Sequence, residues 1–476
     1  LILPEFNRTK IIATLGPASE EERVIGQLAG AGVDVFRLNF SHGDHQQHAR
    51  NIERIRKINR ENELHIAILC DLQGPKLRVG DMPVDGLMIR EGEELVFTNH
   101  AETAGDGRYY LDYPTLAQDV RPGERILMDD GKLEVEVINT DRNHEVTTRV
   151  VYGGLLKSRK GVNLPDTHIS MPSLTPKDHQ DLEFILEQDI DWLALSFVRS
   201  AEDIIQLKQH IREAGKQTRV IAKIEKPEAL THIDSIIAAS DAVMVARGDL
   251  GVEVPFQELP LAQKNIVRQC LHQATPVIIA TQMMESMIEN PRPTRAESND
   301  IANAVLDGAD AVMLSGETSV GRYPVEAVRQ MDAIIRRVEQ DAIIYHRPPQ
   351  FREGSATFIS DAVCGSAVAL AEQVKARALV GMTKSGFTAV KLSCFRPRAP
   401  IFIFTNNQGI LNTLSLVWGV RALYYDKFES TDQTFADVNA ILKQLGHIRT
   451  GDLVVNTASM PIQKRARTNA LKVSVV

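Results

Sequence analysis

The chain has 476 residues, 43% of them hydrophobic and 24% charged, with a formal net charge of −8. That length exceeds one ordinary domain and predicts two to four. The absence of an overall basic balance gives no case for a nucleic-acid partner and favours small-molecule chemistry. Cys70, Cys270, Cys364 and Cys394 have no metal-ligand spacing and are too few to staple so long a chain, so free thiols in a reducing compartment are expected. No stretch approaches the ~20 apolar residues of a membrane span. The opening apolar run is too short for a signal peptide, and the expected location is cytoplasmic, with no membrane partner.

Near the N-terminus, Ser19-Glu20-Glu21-Glu22 reads as a capping box opening a helix with Val24, Ile25 and Leu28 on one face. Short, nearly continuous apolar runs at residues 10–16, 34–40, 65–72, 192–198, 219–225, 242–247, 276–283 and 311–316 read as parallel strands covered on both faces. Eight such strands alternating with helices predict a (β/α)8 TIM barrel built from residues 1–74 and 171–345. Residues 75–170 break the rhythm with short alternating strands, and Asp130-Gly131 joins 125–128 to 132–138 as a hairpin. This segment is expected to be a small inserted β-barrel lid domain that closes over a site at the rim. Residues 346–354 read as a linker. An α/β pattern resumes over 355–476, with strands at 378–383, 400–405 and 452–457.

In such barrels the active site sits at the C-terminal ends of the strands. Polar and charged residues converge there: Arg37 to His42, Asp71 to Arg78, Lys223 and Glu225, Arg247 to Asp249, Thr281-Gln282, and Ser315 to Thr318. Lys223 and Glu225 are two apart on one strand and share a face. Two charges in a lumen are expensive, and a structural ion pair is one reading of them. Asp249 on the next strand points to the other, a two-carboxylate site for a hard divalent cation beside a lysine that suits an anionic substrate. Gly248 and Gly251 bracket Asp249 where a helix start would offer N–H groups to a carboxylate or phosphate, or where the glycines only make the turn. Arg37 is a planar fork suited to phosphate. Asn39, Ser41 and Asp71 form an oxygen-rich set for a cation or a network. Gly316 to Tyr323 has P-loop spacing without the Lys-Ser/Thr ending and is rejected as a nucleotide loop. Gly30-Ala31-Gly32 precedes a strand and is no dinucleotide fingerprint.

Taken together, these strand ends resemble the pyruvate kinase family. The match runs through R-L-N-F-S-H-G from Arg37, D-L-Q-G-P-K-L-R from Asp71 and K-G-V-N-L-P from Lys160. It continues through A-K-I-E from Ala222, A-R-G-D-L-G from Ala246, A-T-Q-M-M-E-S-M from Ala280 and M-L-S-G-E-T from Met313. The resemblance covers nearly the whole chain. It implies transfer of a phosphoryl group from phosphoenolpyruvate to ADP, giving pyruvate and ATP. By matching position, Lys223 would contact the transferring phosphoryl, Glu225 and Asp249 would hold Mg²⁺ (or Mn²⁺), and Arg37 would bind phosphate. Gly248 and Asp249 N–H groups with Thr281 would hold the substrate carboxylate. Asn39, Phe40, Ser41, His42, Arg78 and Lys160 would handle the nucleotide. Thr281 and Ser315 could organise a water that protonates the enolate, with the donor left open.

Family members that need a monovalent cation hold it at positions matching Asn39, Ser41, Asp71 and Leu72, and usually have glutamate where this chain has Lys76. Members similar to this chain, of the bacterial type, carry lysine there, with Leu72, Gln73 and a branched residue at Val79. This implies that K⁺ is not required, Lys76 supplying the charge; a solvated hinge lysine is the alternative. The resemblance also implies a C-terminal regulatory domain that binds a phosphorylated allosteric effector at Thr383, Lys384, Ser385, Gly386, Phe387 and Thr388, where an ordinary helix cap is the plainer reading. Lys464, Arg465 and Arg467 would assist. A homotetramer is implied through residues 290–295. The competing expectations are a metal-dependent lyase or aldolase of phosphoenolpyruvate or pyruvate, and a non-catalytic phosphometabolite sensor.

Overall fold

The eight runs form a closed, all-parallel barrel in the computed structural model, which describes residues 7–101, 107–345, 355–427, 430–461 and 467–476. The strands are β1 (Lys10–Thr14), β2 (Val35–Asn39), β3 (Ala67–Asp71), β4 (Trp192–Leu195), β5 (Arg219–Ile224), β6 (Ala242–Ala246), β7 (Val277–Ala280) and β8 (Ala311–Leu314). Each pairs with its sequence neighbours, and β1 with β8 closes the ring. Strand parity divides the side chains. Ile68, Cys70, Val220, Ala222, Val243 and Val245 pack outward against the helices. Ile12, Val35, Leu69, Ile221, Met244 and Ile278 fill the lumen. Arg37, Asp71 and Lys223 share the lumen parity, being the next inward positions after Val35, Leu69 and Ile221.

Most strands end one to three residues before the expected limits, because the chain leaves the ladder to build the rim. Thr281 and Gln282 turn into the left-handed region with φ of 69° and 55°. The capping box expected at Ser19 does not form. Its hydroxyl instead accepts from the Gly16 N–H at 3.2 Å within a turn, and the helix begins later as Glu22–Ala31. The local signal was the right residue pattern, but the tight turn after β1 had already claimed the serine.

Between β3 and β4 lie a six-stranded and a two-stranded sheet around a separate core that includes Phe97, Tyr113, Ile126 and Val135. The expected hairpin is present: Arg125–Met128 pairs antiparallel with Leu133–Thr140. Asp129, Asp130 and Gly131 all take positive φ at the turn.

The C-terminal sheet contains β9 (Ala378–Met382), β10 (Ile401–Thr405), β11 (Val420–Tyr424), β12 (Leu453–Ala458) and β13 (Ala470–Val475), in the order β11-β10-β9-β12-β13 with the last strand antiparallel. β11 and β13 are additional to the three expected strands; both are edge strands with partly exposed faces and no continuous apolar run. The linker at 346–354 lies outside the described residues. This domain packs on the floor of the barrel. Leu416 joins the lumen cluster from below, and the buried Arg396 guanidinium reaches Asp310 at 2.9 Å and the Gly308 carbonyl at 2.7 Å. The floor is thereby closed, and the opposite end is left open toward the lid.

Candidate active site

The inward charges stack into one network. Asp71, fully buried at the end of β3, accepts from Arg37 Nε at 2.7 Å through Oδ2. Its Oδ1 lies 3.2 Å from Lys223 Nζ. Lys223 also lies 3.0 Å from Glu225 Oε1 and donates to Ser196 Oγ at 2.7 Å. Ser196 in turn donates to the Leu72 carbonyl. Arg37 is steadied further by Thr14 Oγ1 at 3.1 Å. Glu225 Oε2 accepts from the Phe197 N–H at 2.8 Å. Phe197 can aim that N–H because its φ is 53°, a conformation a bulky residue adopts only at a cost.

Burial and partners set the ionisation. Burial alone would lift Asp71, but Lys223 and Arg37 outweigh it and hold the carboxyl below its ordinary value. Burial opposes the charge on Lys223, yet Asp71 and Glu225 hold its pKa above the usual lysine value. Glu225 is pushed up, first by burial; Lys223 pulls it down, while Asp249 adds repulsion. Asp249 thus lies near enough to Glu225 for their charges to interact. Two carboxylates whose charges interact are a pairing that a divalent cation can use. Among the described residues no group of three or more His, Cys, Asp or Glu forms one, so a cation here would complete its shell with water and substrate oxygens, as Mg²⁺ commonly does.

Asp249 sits on the helix Arg247–Glu253 that opens directly after β6, as the glycines suggested. The Gly248 N–H donates to Thr281 Oγ1 at 2.7 Å, and that hydroxyl donates to the Ala280 carbonyl at 2.6 Å. Arg247 anchors the turn through Asp300 and the Thr281 carbonyl, both at 2.7 Å. Ser315 presents a buried Oγ with no hydrogen-bond partner among the described residues, while its N–H donates to Glu317 at 2.7 Å.

The other expected residues scatter more. The Phe40 side chain is buried and stacks on His48, so only its backbone faces the rim. Asn39 Oδ1 accepts from the Ser41 N–H at 3.1 Å. His42 is exposed, and its pKa is lowered by partial burial and by Arg78, Arg37 and Lys76. Arg78 donates to the Arg159 carbonyl. Lys160 pairs with Asp129 Oδ1 of the lid hairpin at 2.7 Å. The ion pair of Lys76 is with Asp249, at 3.6 Å. Ser196, Phe197 and Thr14 were not foreseen. Ser196 and Phe197 lay inside an expected strand, and nothing in residue type distinguishes them there.

At the far end, Gly386 with φ of 87° caps the helix Phe387–Cys394. Its N–H donates to Thr383 Oγ1 at 3.0 Å, and Thr388 Oγ1 meets Thr468 Oγ1 at 2.8 Å. Lys464 and Arg465 lie outside the described residues, and Arg467 is exposed. A cleft of about 1500 Å³ between the barrel floor and this domain is lined by Lys384 and Ser385. Arg37, Asp71, Lys223, Glu225 and Asp249 lie elsewhere, at the strand ends.

A guanidinium fork, a buried lysine and a carboxylate pair at the strand ends of a TIM barrel are the kind of site an enzyme uses for anionic substrates. Comparison with known proteins makes this specific. The family described as pyruvate kinase, barrel domain, matches residues 6–328, and that described as pyruvate kinase, alpha/beta domain, matches residues 361–474. Pyruvate kinase 2 of Synechocystis is 44% identical over 99% of this chain and 80% of its own length. The pyruvate kinase of Mycobacterium tuberculosis is 41% identical over 98% of both. A crystal structure of a pyruvate kinase from Cryptosporidium parvum superposes with a TM-score of 0.90 at 32% identity, covering 98% of this chain and 96% of that one. The chain belongs to the pyruvate kinase family. No helix among the described residues is long and apolar enough to cross a membrane.

Asp71 holds two buried cations, so removing its charge strands Arg37 and leaves Lys223 with Glu225 as its remaining carboxylate. Asp71→Asn is expected to cost on the order of 3–5 kcal/mol at neutral pH, read by urea unfolding. Because the folded pKa is depressed, that contribution is present above the unfolded value and is lost as pH falls. The gap between wild type and variant should therefore narrow below about pH 4. A gap that stays constant from pH 6 to pH 3 would contradict the assignment.

Proposed function

We propose that this enzyme transfers the phosphoryl group of phosphoenolpyruvate to ADP, forming pyruvate and ATP. The observation that carries the reading is Lys223, an ammonium held protonated between Asp71 and Glu225 at the barrel's open end. Phosphoryl transfer needs little covalent assistance and much positioning and charge stabilisation. Lys223 faces the transferring group and meets its charge. Arg37, aligned by Asp71 and Thr14, binds phosphate oxygens. Glu225 and Asp249 hold Mg²⁺ or Mn²⁺, which when bound neutralises phosphate charge. Thr281, with the Gly248 and Asp249 N–H groups, receives the substrate carboxylate, its hydroxyl giving up the Gly248 bond as the substrate enters. Thr281 and Ser315 order the water that protonates the enolate carbon.

On the nucleotide side, Asn39, the Phe40 backbone, Ser41, His42, Arg78 and Lys160 contact ADP. Lys160 leaves Asp129 when the lid of residues 75–170 closes over the barrel of 1–74 and 171–345. The same reading assigns 355–476 as a regulatory domain binding a phosphorylated metabolite at Thr383–Thr388, a homotetramer, and a cytoplasmic location.

Potassium is not required in this reading. Of the matching oxygens, those of Asp71 already face Arg37 and Lys223, the Leu72 carbonyl accepts from Ser196, and Asn39 Oδ1 accepts from the Ser41 N–H. Lys76 brings the positive charge to the nucleotide instead.

Lys223→Met, assayed by coupled pyruvate reduction, is expected to keep the fold and lose on the order of 10³-fold or more in rate, as other cations on a transferring phosphoryl do. A rate within tenfold of wild type would sink the role. In buffer free of potassium and sodium the wild-type velocity should persist, while Lys76→Glu should acquire a potassium requirement. A wild-type velocity that collapses without potassium would refute the substitution.

A further inference from the structure

The Lys76–Asp249 pair contributes little to the fold. The two side chains are 36% and 31% exposed and 3.6 Å apart, and so open a pair adds little stability. Its placement is more informative. Lys76 stands where the chain leaves the barrel for the lid, two residues before the Arg78–Gly161 bridge. Asp249 stands on the barrel rim. The pair therefore links hinge to rim across the mouth of the site.

Charge counting sharpens this. Lys223 serves Asp71 and Glu225, and Arg37 serves Asp71. Among the described residues the ion pair of Asp249 is with Lys76. Arg37, Lys76 and Lys223 then balance Asp71, Glu225 and Asp249. A divalent cation on Glu225 and Asp249 would sit beside the Lys76 ammonium, and the two positive charges would repel each other at that range. Lysine is the residue able to yield, being a compact charge on a flexible four-carbon stem.

We propose that Lys76 is an internal stand-in for the divalent cation: its ammonium neutralises Asp249 until the metal binds, and is then displaced toward the nucleotide face. This rests on the reading of Glu225 and Asp249 as metal carboxylates. It goes beyond that reading by making metal entry the event that frees the lysine. The charge that meets ADP is then supplied only after the metal has arrived, and the hinge is untied from the rim at the same moment.

The test is Mn²⁺ binding to the full-length, substrate-free enzyme, followed by the electron paramagnetic resonance signal of free Mn²⁺. Lys76→Met should bind Mn²⁺ about fivefold or more tightly than wild type at low ionic strength, with the difference shrinking at high salt. Lys76→Arg should stay near wild type. To separate displacement from a remote field, lysines are ¹³C-dimethylated, and the Lys76 resonance is identified by its absence in Lys76→Arg. That resonance should shift saturably with Mg²⁺ in the absence of nucleotide. If Mn²⁺ affinity is equal within twofold in wild type and Lys76→Met, while Asp249→Asn abolishes binding, the stand-in is overturned and the metal site survives. A Lys76 resonance indifferent to Mg²⁺ also overturns it. If Asp249→Asn leaves Mn²⁺ affinity unchanged, the metal reading fails and the stand-in with it.

Discussion

One buried carboxylate, Asp71, lies between two cations inside the barrel, 2.7 Å from Arg37 and 3.2 Å from Lys223. Neither cation would be tolerated there alone, since an unpaired buried charge costs several kcal/mol. With Asp71 in place, both are paired, aligned and still presented at the strand ends. The fold supplies the geometry through strand parity. The lumen is filled from below by Ile12, Leu69, Ile221 and Met244 and sealed by Leu416, so the next inward positions of β2, β3 and β5 emerge together at the open end.

From that clamp the site extends to Glu225, which is as dry as Asp71, and then outward to Asp249. Glu225 is fixed by Lys223 and by the strained Phe197 N–H. Asp249 is more exposed and is answered by a lysine from the hinge. The charges held by two or more partners are dry, while Asp249 and Lys76 sit near solvent. Family membership places this arrangement among pyruvate kinases, and the geometry explains why the residues are clustered as they are.

Much of this was legible in residue spacing. The i, i+2 placement of Lys223 and Glu225 puts both on one face in any strand, and the Arg-Gly-Asp turn predicts a helix start beside them, found as Arg247–Glu253. What spacing could not reveal depends on distant segments meeting. Ser196 becomes a partner of Lys223 only because β4 lies beside β5. Phe197 matters through its backbone conformation, which its side chain disfavours. Lys76 read as a charge for the nucleotide site, with a solvated hinge lysine as the alternative, and its partner Asp249 is 173 positions away. Local signals also failed where tertiary structure overrode them, as at Ser19, and where edge strands are half-exposed, as in β11 and β13.

Transfer of the phosphoryl group from phosphoenolpyruvate to ADP at this clamp is the proposal on which the other residue roles depend. Phosphorus-31 NMR of the purified enzyme with phosphoenolpyruvate, ADP and Mg²⁺ tests it most directly. The account predicts that the phosphoenolpyruvate signal is replaced one for one by the γ-phosphate of ATP, with pyruvate in equal amount and no turnover when ADP is omitted. Release of inorganic phosphate instead, or pyruvate formed without ADP, would contradict it.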